Sequence, residues 1–188
     1  MNKAHEMCGS EEWRQAIREV ILPWAMSDAD LGDDVLEVGP GYGATTDVLS
    51  RAVPRLTSVE IDEALAAMLT DRFADVASVE IVNGDATALD YADNRFSGAA
   101  CFTMLHHVPT TELQDRLFAE VARVLRPGAA LVASDSLASD ELEAHHEDDT
   151  YNPVDPATLP ARLATAGFTD VNVRLSEFGW AVIARAAG

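Results

Sequence analysis

The chain has 188 residues, with 32 acidic side chains, 13 basic ones and a formal net charge of −19. This length predicts one domain with a substantial hydrophobic core. A surface this acidic repels phosphate backbones and anionic lipids, so we expect neither a nucleic acid nor a membrane as partner. The acidity is equally consistent with a role in solubility alone, or with the ionic conditions in which the source organism lives.

The first predicted element is an amphipathic helix. Ser10 is a typical helix N-cap, and the apolar side chains that follow share one helical face: Trp13, Ile17, Val20, Ile21 and Trp24. We expect a kink at Pro23, which has no N–H to donate. One interpretation is that the apolar face packs the helix on the edge of a sheet. The alternative is that the helix forms a lid over a bound ligand.

A short apolar strand at 35–38 leads into a loop with three alternating glycines, Gly39, Gly41 and Gly43. Such loops occur at the carboxyl ends of parallel strands, where a ligand can approach backbone that lacks a Cβ. Together with Ala44 the loop also fits the dinucleotide fingerprint, which keeps a nicotinamide or flavin enzyme as an alternative. Pro40 offers no N–H to a pyrophosphate, and the Glu37 carboxylate repels phosphate but attracts ammonium and sulfonium groups. Both residues favour S-adenosylmethionine (SAM), which contains no phosphate.

Two further acids each follow a predicted strand. Glu60 ends the second strand, 23 residues after Glu37, where a carboxylate can accept hydrogen bonds from both ribose hydroxyls. Asp85 follows the third strand, at 79–83, and can accept from an adenine amino group. These acids and the glycine loop fit one adenosine-type ligand.

Two adjacent histidines, His106 and His107, follow the fourth strand, on the side of the sheet where ligands bind in open α/β folds. Either imidazole can take a proton from a substrate hydroxyl, amine or thiol. Alternatively, the pair only shapes the loop and contacts the cofactor. Adjacent residues of a strand-like segment point to opposite faces, so we predict that the two do not share a metal ion.

These motifs resemble those of class I SAM-dependent methyltransferases of the small, UbiE-like sort, from about Asp33 to the C-terminus. Residues 37–43 resemble the first motif of the family, residues 96–108 its fourth strand and the loop that follows, and residues 124–131 its turn into the fifth strand. The resemblance implies an α/β fold, a Rossmann-like, doubly wound seven-stranded sheet that is mostly parallel with an antiparallel C-terminal hairpin strand.

The resemblance also implies a set of cofactor contacts, namely Glu37, Gly39, Gly41, Gly43, Glu60, Ile61, Asp85, Ala86 and Thr103. It implies one SAM-binding domain over 1–188, with an N-terminal helical lid at 1–30 that brings Trp13 near the substrate. A substrate-side insertion is expected at 136–155, with His146, Asp149 and Tyr151 as substrate contacts. The acids and histidines at 145–149 have the residue types of a metal site, but a polar run is more typical of a solvated loop, so we predict no metal.

The implied reaction is direct in-line methyl transfer from SAM to an O, N, S or C nucleophile, which leaves S-adenosylhomocysteine. The short chain favours a small-molecule substrate, and we expect a monomer or homodimer. The alternatives are a SAM-binding protein that does not methylate, such as a non-methylating enzyme or a sensor, and less favourably an NAD-dependent reductase. The start of the sequence lacks a signal-peptide pattern and no apolar run is long enough to span a membrane, which predicts a cytoplasmic location.

Overall fold

The computed structural model describes residues 7–27, 29–177 and 179–188, and a single seven-stranded sheet forms their centre. In chain order its strands are β1 (Val35–Val38), β2 (Leu56–Glu60), β3 (Val79–Asn83), β4 (Phe96–Phe102), β5 (Leu125–Asp135), β6 (Phe168–Ser176) and β7 (Gly179–Ala186). The order across the sheet is β3-β2-β1-β4-β5-β7-β6, and only the pairs made by β7 are antiparallel. The predicted mostly parallel sheet with an antiparallel C-terminal hairpin is therefore confirmed.

Helices cover both faces of this sheet. They are α1 (Glu11–Ala16), α2 (Leu22–Ala25), α3 (Ala44–Ala52), α4 (Glu63–Arg72), α5 (Thr111–Val124), α6 (Asp140–His145) and α7 (Leu159–Ala166). Buried side chains of α5 and α7 belong to one hydrophobic cluster, and those of α2 and α3 belong to the other. Successive β1 residues alternate between the two, with Leu36 in the first cluster and Val35 in the second, as the two-residue period of a strand requires.

The strand order places a topological switch between β1 and β4. The chain passes from β1 to β2 and β3 on one side, then returns to add β4 and β5 on the other side of β1. The loops after β1 and β4 therefore diverge at the carboxyl edge of the sheet and leave a crevice, which is where ligands bind in open α/β folds.

Local signals in the sequence set most helix starts. The Ser10 Oγ accepts a hydrogen bond from the Trp13 N–H at 3.1 Å, and the Asp62 carboxylate accepts from two amides in the first turn of α4. Thr111 and Gln114 have the spacing of a capping box, which predicts Thr111 as the N-cap of α5. The Thr110 hydroxyl caps the helix instead, so α5 begins one residue earlier than predicted. Gln114 is buried and donates to the carbonyls of Leu105 and Asn152.

The N-terminal helical segment departs from the predicted helix with a kink at Pro23. A π-helical turn, Ile17–Ile21, joins α1 to α2. This turn holds more residues than an α-helical turn, so the residues after it are rotated about the helix axis. Ile17 and Leu22 are consequently buried, whereas Val20, on the predicted apolar face, is 40% exposed.

The segment between β5 and α7 is more regular than its sequence suggests. Residues 140–145 form α6, which is capped by the Ser139 hydroxyl accepting from the Leu142 N–H at 3.2 Å. Three carboxylates, Asp140, Glu141 and Glu143, lie in its first turn and favour the helix through the helix dipole. Within the described ranges, no helix combines the length and the apolar character needed to cross a membrane.

Candidate functional site

A cavity of about 400 Å³ opens at the carboxyl edge of the sheet, in the crevice between the loops after β1 and β4. Most of the residues predicted as site residues line it, namely Trp13, Gly39, Gly41, Glu60, Ile61, Asp85, Ala86, Thr103, His107 and Asp149. The remaining predicted residues do not line it, namely Glu37, Gly43, His106, His146 and Tyr151. The structure thus brings together residues that are up to 136 positions apart in the sequence, from Trp13 to Asp149.

The glycine loop presents bare backbone to this cavity. Gly41 has a φ of 54°, and a Cβ added there would meet no atom within 4 Å, so the space beside its Cα is open. Gly43 has a φ of 77°, and a Cβ there would come within 2.6 Å of the Leu69 side chain. Gly41 therefore leaves room for a ligand, whereas Gly43 lets α3 pack closely against α4.

Glu60 shapes the floor of the cavity from the tip of β2. Its Oε2 accepts from the Gly41 N–H at 2.9 Å and its Oε1 accepts from the Asp62 N–H at 3.0 Å. The side chain is only 4% exposed yet lines the cavity. A carboxylate fixed by two amides in this way keeps further lone pairs that can accept from a ligand hydroxyl.

Glu37 lies behind the cavity wall rather than in it. Its Oε2 accepts from the hydroxyls of Ser58 at 2.6 Å and Thr46 at 2.8 Å, and its Oε1 has no hydrogen-bond partner among the described residues. Burial raises the pKa of Glu37 to about 7, against the lowering effect of the two hydroxyls. This carboxyl therefore links β1, β2 and α3, and it keeps one buried acceptor atom unused.

The two histidines lie in a 3₁₀ turn, Leu105–His107, and not on a strand. The expectation that their rings point to opposite faces is wrong, because the turn brings the ring centroids to 4.1 Å. The His106 Nδ1 lies 2.7 Å from Asp135 Oδ1, and the His106 amide donates to Asp135 Oδ2 at 3.0 Å. His106 is thus fixed by a buried carboxylate at the end of β5, while His107 lines the cavity.

A second cavity, of about 210 Å³, adjoins the first. Its walls are mostly apolar and come from the N-terminal helical segment, with Asp135 and two serines on the sheet side: Trp13, Ala16, Val20, Ile21, Trp24, Thr103, Ser134, Asp135 and Ser136. Trp13 and Thr103 line both cavities. The segment predicted as a lid therefore contributes to the walls of two neighbouring cavities.

Some site residues escaped the sequence analysis. Asp135 ends β5, and the strand-end rule that found Glu60 and Asp85 also applies to it. Several other unpredicted lining residues are apolar, among them Tyr42, Met104, Val108, Leu113 and Leu117. In the sequence these have no signal of their own, because an apolar residue that lines a cavity follows the same periodicity as one in the core.

The predicted substrate residues of the 136–155 segment lie in two places. Asp149 lines the larger cavity, but His146 is buried and Tyr151 stacks on it, with ring centroids 4.7 Å apart. The His146 ring also lies close to both histidines of the 3₁₀ turn, at 5.0 Å from His106 and 5.1 Å from His107. Two adjacent histidines and a third one, distant in sequence, therefore meet beside the cavity.

Comparison with known proteins identifies the fold and the domain. Residues 36–133 match the family described as methyltransferase domain. Among solved structures, the PH0226 protein of Pyrococcus horikoshii superposes with a TM-score of 0.82 at 16% identity, over 99% of each chain. A SAM-dependent methyltransferase of Methanosarcina mazei superposes with a TM-score of 0.68 at 18% identity, over 88% of this chain and 97% of that one. At these identities the likeness concerns the fold alone.

A curated relative is similar over a shorter stretch. The ribosomal RNA small subunit methyltransferase A of Geobacter metallireducens is 46% identical over 61 residues, which are 32% of this chain. The matched stretch spans only 22% of the length of that relative.

Proposed function

Since the chain belongs to the SAM-dependent methyltransferases of the methyltransferase domain family, we propose that it methylates a small-molecule nucleophile by direct in-line displacement. The observation that carries this proposal is the pair of neighbouring cavities at the switch point of the sheet, which share two lining residues. One has the polar groups that an adenosyl and methionine moiety needs, and the other is small and largely apolar. Trp13 and Thr103 lie where the two meet.

The residues present fit SAM. The open backbone at Gly41 admits a ligand, and the Glu60 carboxylate reaches the same cavity from β2. The unused buried Oε1 of Glu37 suits a nearby cationic group better than a phosphate. Gly39, Gly41 and Glu60 would hold the nucleoside end, with Ile61, Asp85 and Ala86 along the adenine side and Thr103 toward the methionine side.

When bound, SAM supplies an electrophilic methyl group, whose bond to sulfur breaks as the bond to the acceptor forms. The tasks of this chain are then to orient the acceptor, exclude water and receive any proton the acceptor loses. His107 lines the cavity and is the group we assign to that proton. His106 is a positioning residue, because Asp135 fixes its ring beside that of His107.

An RNA substrate is the competing proposal, since the curated relative is a ribosomal RNA methyltransferase by name. RNA binding relies on basic side chains that contact phosphates, and here 13 basic residues face 32 acidic ones. The second cavity measures only about 210 Å³ and lies behind the N-terminal helical segment. Charge and cavity size therefore both favour a small acceptor.

The test is methyl transfer from labelled SAM to two separate acceptor pools, a low-molecular-weight cell extract and ribosomal RNA. We expect label in the small-molecule pool alone. Trp13→Ala should reduce this label while SAM affinity stays near wild type, and Leu175→Ala, exposed on β6, should change neither. Label only in RNA would refute the small-molecule assignment. Cofactor binding without label in either pool would instead favour a SAM-binding enzyme that does not methylate.

A further inference from the structure

We propose that His106, His107 and His146 form a binding site for one divalent transition-metal ion. Each offers a ring nitrogen, and these three atoms all lie within 4.8 Å of one another. Three of the five histidines of the chain meet here, although His146 is 39 residues away from His107 in sequence. Neither a strand pattern at 106–107 nor a polar loop at 145–149 predicts this meeting, so the sequence expectation of no metal is replaced by this proposal.

The hydrogen bonds of two rings select the correct nitrogen for a metal. The His106 Nδ1 donates to the Asp135 carboxylate, and the His146 Nδ1 donates to the Leu142 carbonyl at 2.6 Å, since neither oxygen can donate. In a neutral imidazole the lone pair then resides on Nε2. Metal-binding histidines in proteins typically donate their other ring N–H to a carboxylate or a backbone carbonyl, which orients the ring and raises its basicity.

The surroundings also suit a cation. His146 is 6% exposed and Asp135 is 2% exposed, so the site is partly shielded and holds a negative charge next to His106. Asp149 follows on the same segment and lines the adjoining cavity. The strongly acidic molecule as a whole draws cations toward it.

The three imidazole ligands determine which metal ions the site favours. Three imidazoles favour zinc, nickel, cobalt or copper over magnesium and calcium, which prefer oxygen ligands. Bond lengths of about 2.0–2.1 Å bring ligand nitrogens to roughly 3.4 Å from each other, so nitrogens that lie up to 4.8 Å apart must approach by up to about 1.4 Å. His106 and His107 share one short turn, whereas His146 caps the C-terminus of α6, so binding is expected to draw the 140–149 segment onto the 3₁₀ turn.

A bound ion would use the same nitrogen lone pairs that accept a proton. The proposal therefore predicts that added metal competes with the general-base role assigned to His107. Metal binding itself requires neither SAM nor an acceptor, so it is measured without them. A protein that binds no metal would refute the metal site and leave the proposed methyl transfer standing, and the converse also holds.

The experiment is a titration of the untagged, chelator-treated full chain with zinc by calorimetry and with cobalt by visible absorption. We expect one ion per chain, with a cobalt spectrum of nitrogen-coordinated, low-coordinate type. His146→Ala should weaken binding by at least about 10-fold, whereas His145→Ala, its exposed neighbour, should bind like the wild type. Thermal melting should show a metal-dependent rise in Tm for the wild type and His145→Ala only.

Circular dichroism establishes that each variant is folded, and His107→Ala decides the matter if His146→Ala does not fold. No saturable binding by the wild type would overturn the proposal. So would equal weakening by His145→Ala and His146→Ala, or undiminished binding by a folded variant that lacks one of the three rings.

Discussion

Glu60 contacts two different backbone amides with its two carboxylate oxygens, at Gly41 and Asp62. Glu60→Ala removes the hydrogen bond to the glycine loop at Gly41, the one to the Asp62 amide, and the group proposed to accept from the ribose. We expect it to weaken binding of S-adenosylhomocysteine by roughly 1–3 kcal/mol, measured by calorimetry. Glu63→Gln, exposed in the first turn of α4, removes a nearby charge and is the matched control. An unchanged dissociation constant for Glu60→Ala would exclude this residue from the site.

The raised pKa of Glu37 makes stability depend on pH in a definite direction. Its pKa rises from 4.5 to about 7 on folding, so between these pH values the unfolded chain releases a proton that the folded chain keeps. The contribution of Glu37 is fully present below about pH 4.5 and is lost as pH rises to about 7, by about 3 kcal/mol at 1.36 kcal/mol per pKa unit.

Glu37→Gln cannot titrate and removes this dependence. We expect the free energy of unfolding of the variant, relative to the wild type, to increase between pH 5 and pH 8 in urea denaturation. Because every other acid is common to both proteins, the difference isolates Glu37. Parallel pH profiles for the two proteins would contradict the buried, high-pKa carboxyl.

His107 is expected to act on turnover and not on cofactor affinity. In metal-free enzyme, His107→Ala should lower kcat by about 10²-fold or more if the imidazole takes the proton of the acceptor. The dissociation constant for SAM should stay nearly constant, and the acidic limb of the pH–rate profile should disappear. His145→Ala serves again as the control. Equal losses of affinity and turnover would indicate that His107 only shapes the loop.

At the scale of elements, two segments contribute walls to the cavities from opposite ends of the chain. Cys8 and Trp13 line the larger cavity from the N-terminal side, and Asp149 and Thr150 line it from the segment after β5. We predict that residues 1–10 and 136–154 form a mobile cover over the methyl group, of which residues 1–6 lie outside the described part of the chain. Cys8, Asp149 and Thr150 line the larger cavity, so both segments lie where they could close over a bound ligand.

We expect S-adenosylhomocysteine to slow amide hydrogen exchange in both segments, 7–10 and 136–154. The reason is that a ligand in the larger cavity would contact its lining residues Cys8 and Asp149, one in each segment, and so stabilise the closed arrangement. The β6–β7 hairpin, which lines neither cavity among the residues described, is the internal reference and should not change. Protection confined to the Gly39 loop, Glu60 and Asp85 would mean that another part of the chain forms the cover.

Local sequence signals fixed element starts better than element interiors. Ser10, Asp62 and Gly167 act at the helix ends where their chemistry predicts, because a cap involves residues only two to four positions apart. The π-helical turn at Ile17–Ile21 was not predictable in this way. It depends on how the helix packs over the sheet, and not on the residues within one turn.

At the scale of the whole molecule, the charge of −19 opposes compaction at low ionic strength. Salt screens that repulsion, since the Debye length falls from about 30 Å at 0.01 M to about 8 Å at 0.15 M. We therefore expect Tm to rise with KCl, most steeply below about 0.15 M. A rise confined to molar salt would indicate general solvent exclusion, and a fall would indicate that ion pairs such as Arg95–Asp34 outweigh the repulsion.

The sequence by itself determined the fold class and several residues that line the larger cavity. The signals that predicted them depend on residues close together in the sequence: the glycine loop, the acids at strand ends, and the alternation of strands and helices. A parallel sheet then brings the carboxyl ends of its strands to one edge. For that reason the sequence predicted that Gly41, Glu60 and Asp85 lie at one site, and the family resemblance implied the same three residues.

Only the tertiary structure decided the acceptor side. The meeting of His106, His107 and His146, the pairing of His106 with Asp135, and the burial of Glu37 behind the wall depend on loops from different strands. Loop conformation has no periodicity in sequence, and contacts across it are set by how the N-terminal helices and the 136–155 segment pack on the sheet edge. The physical reason is that backbone geometry propagates along a strand or helix but is lost across a loop.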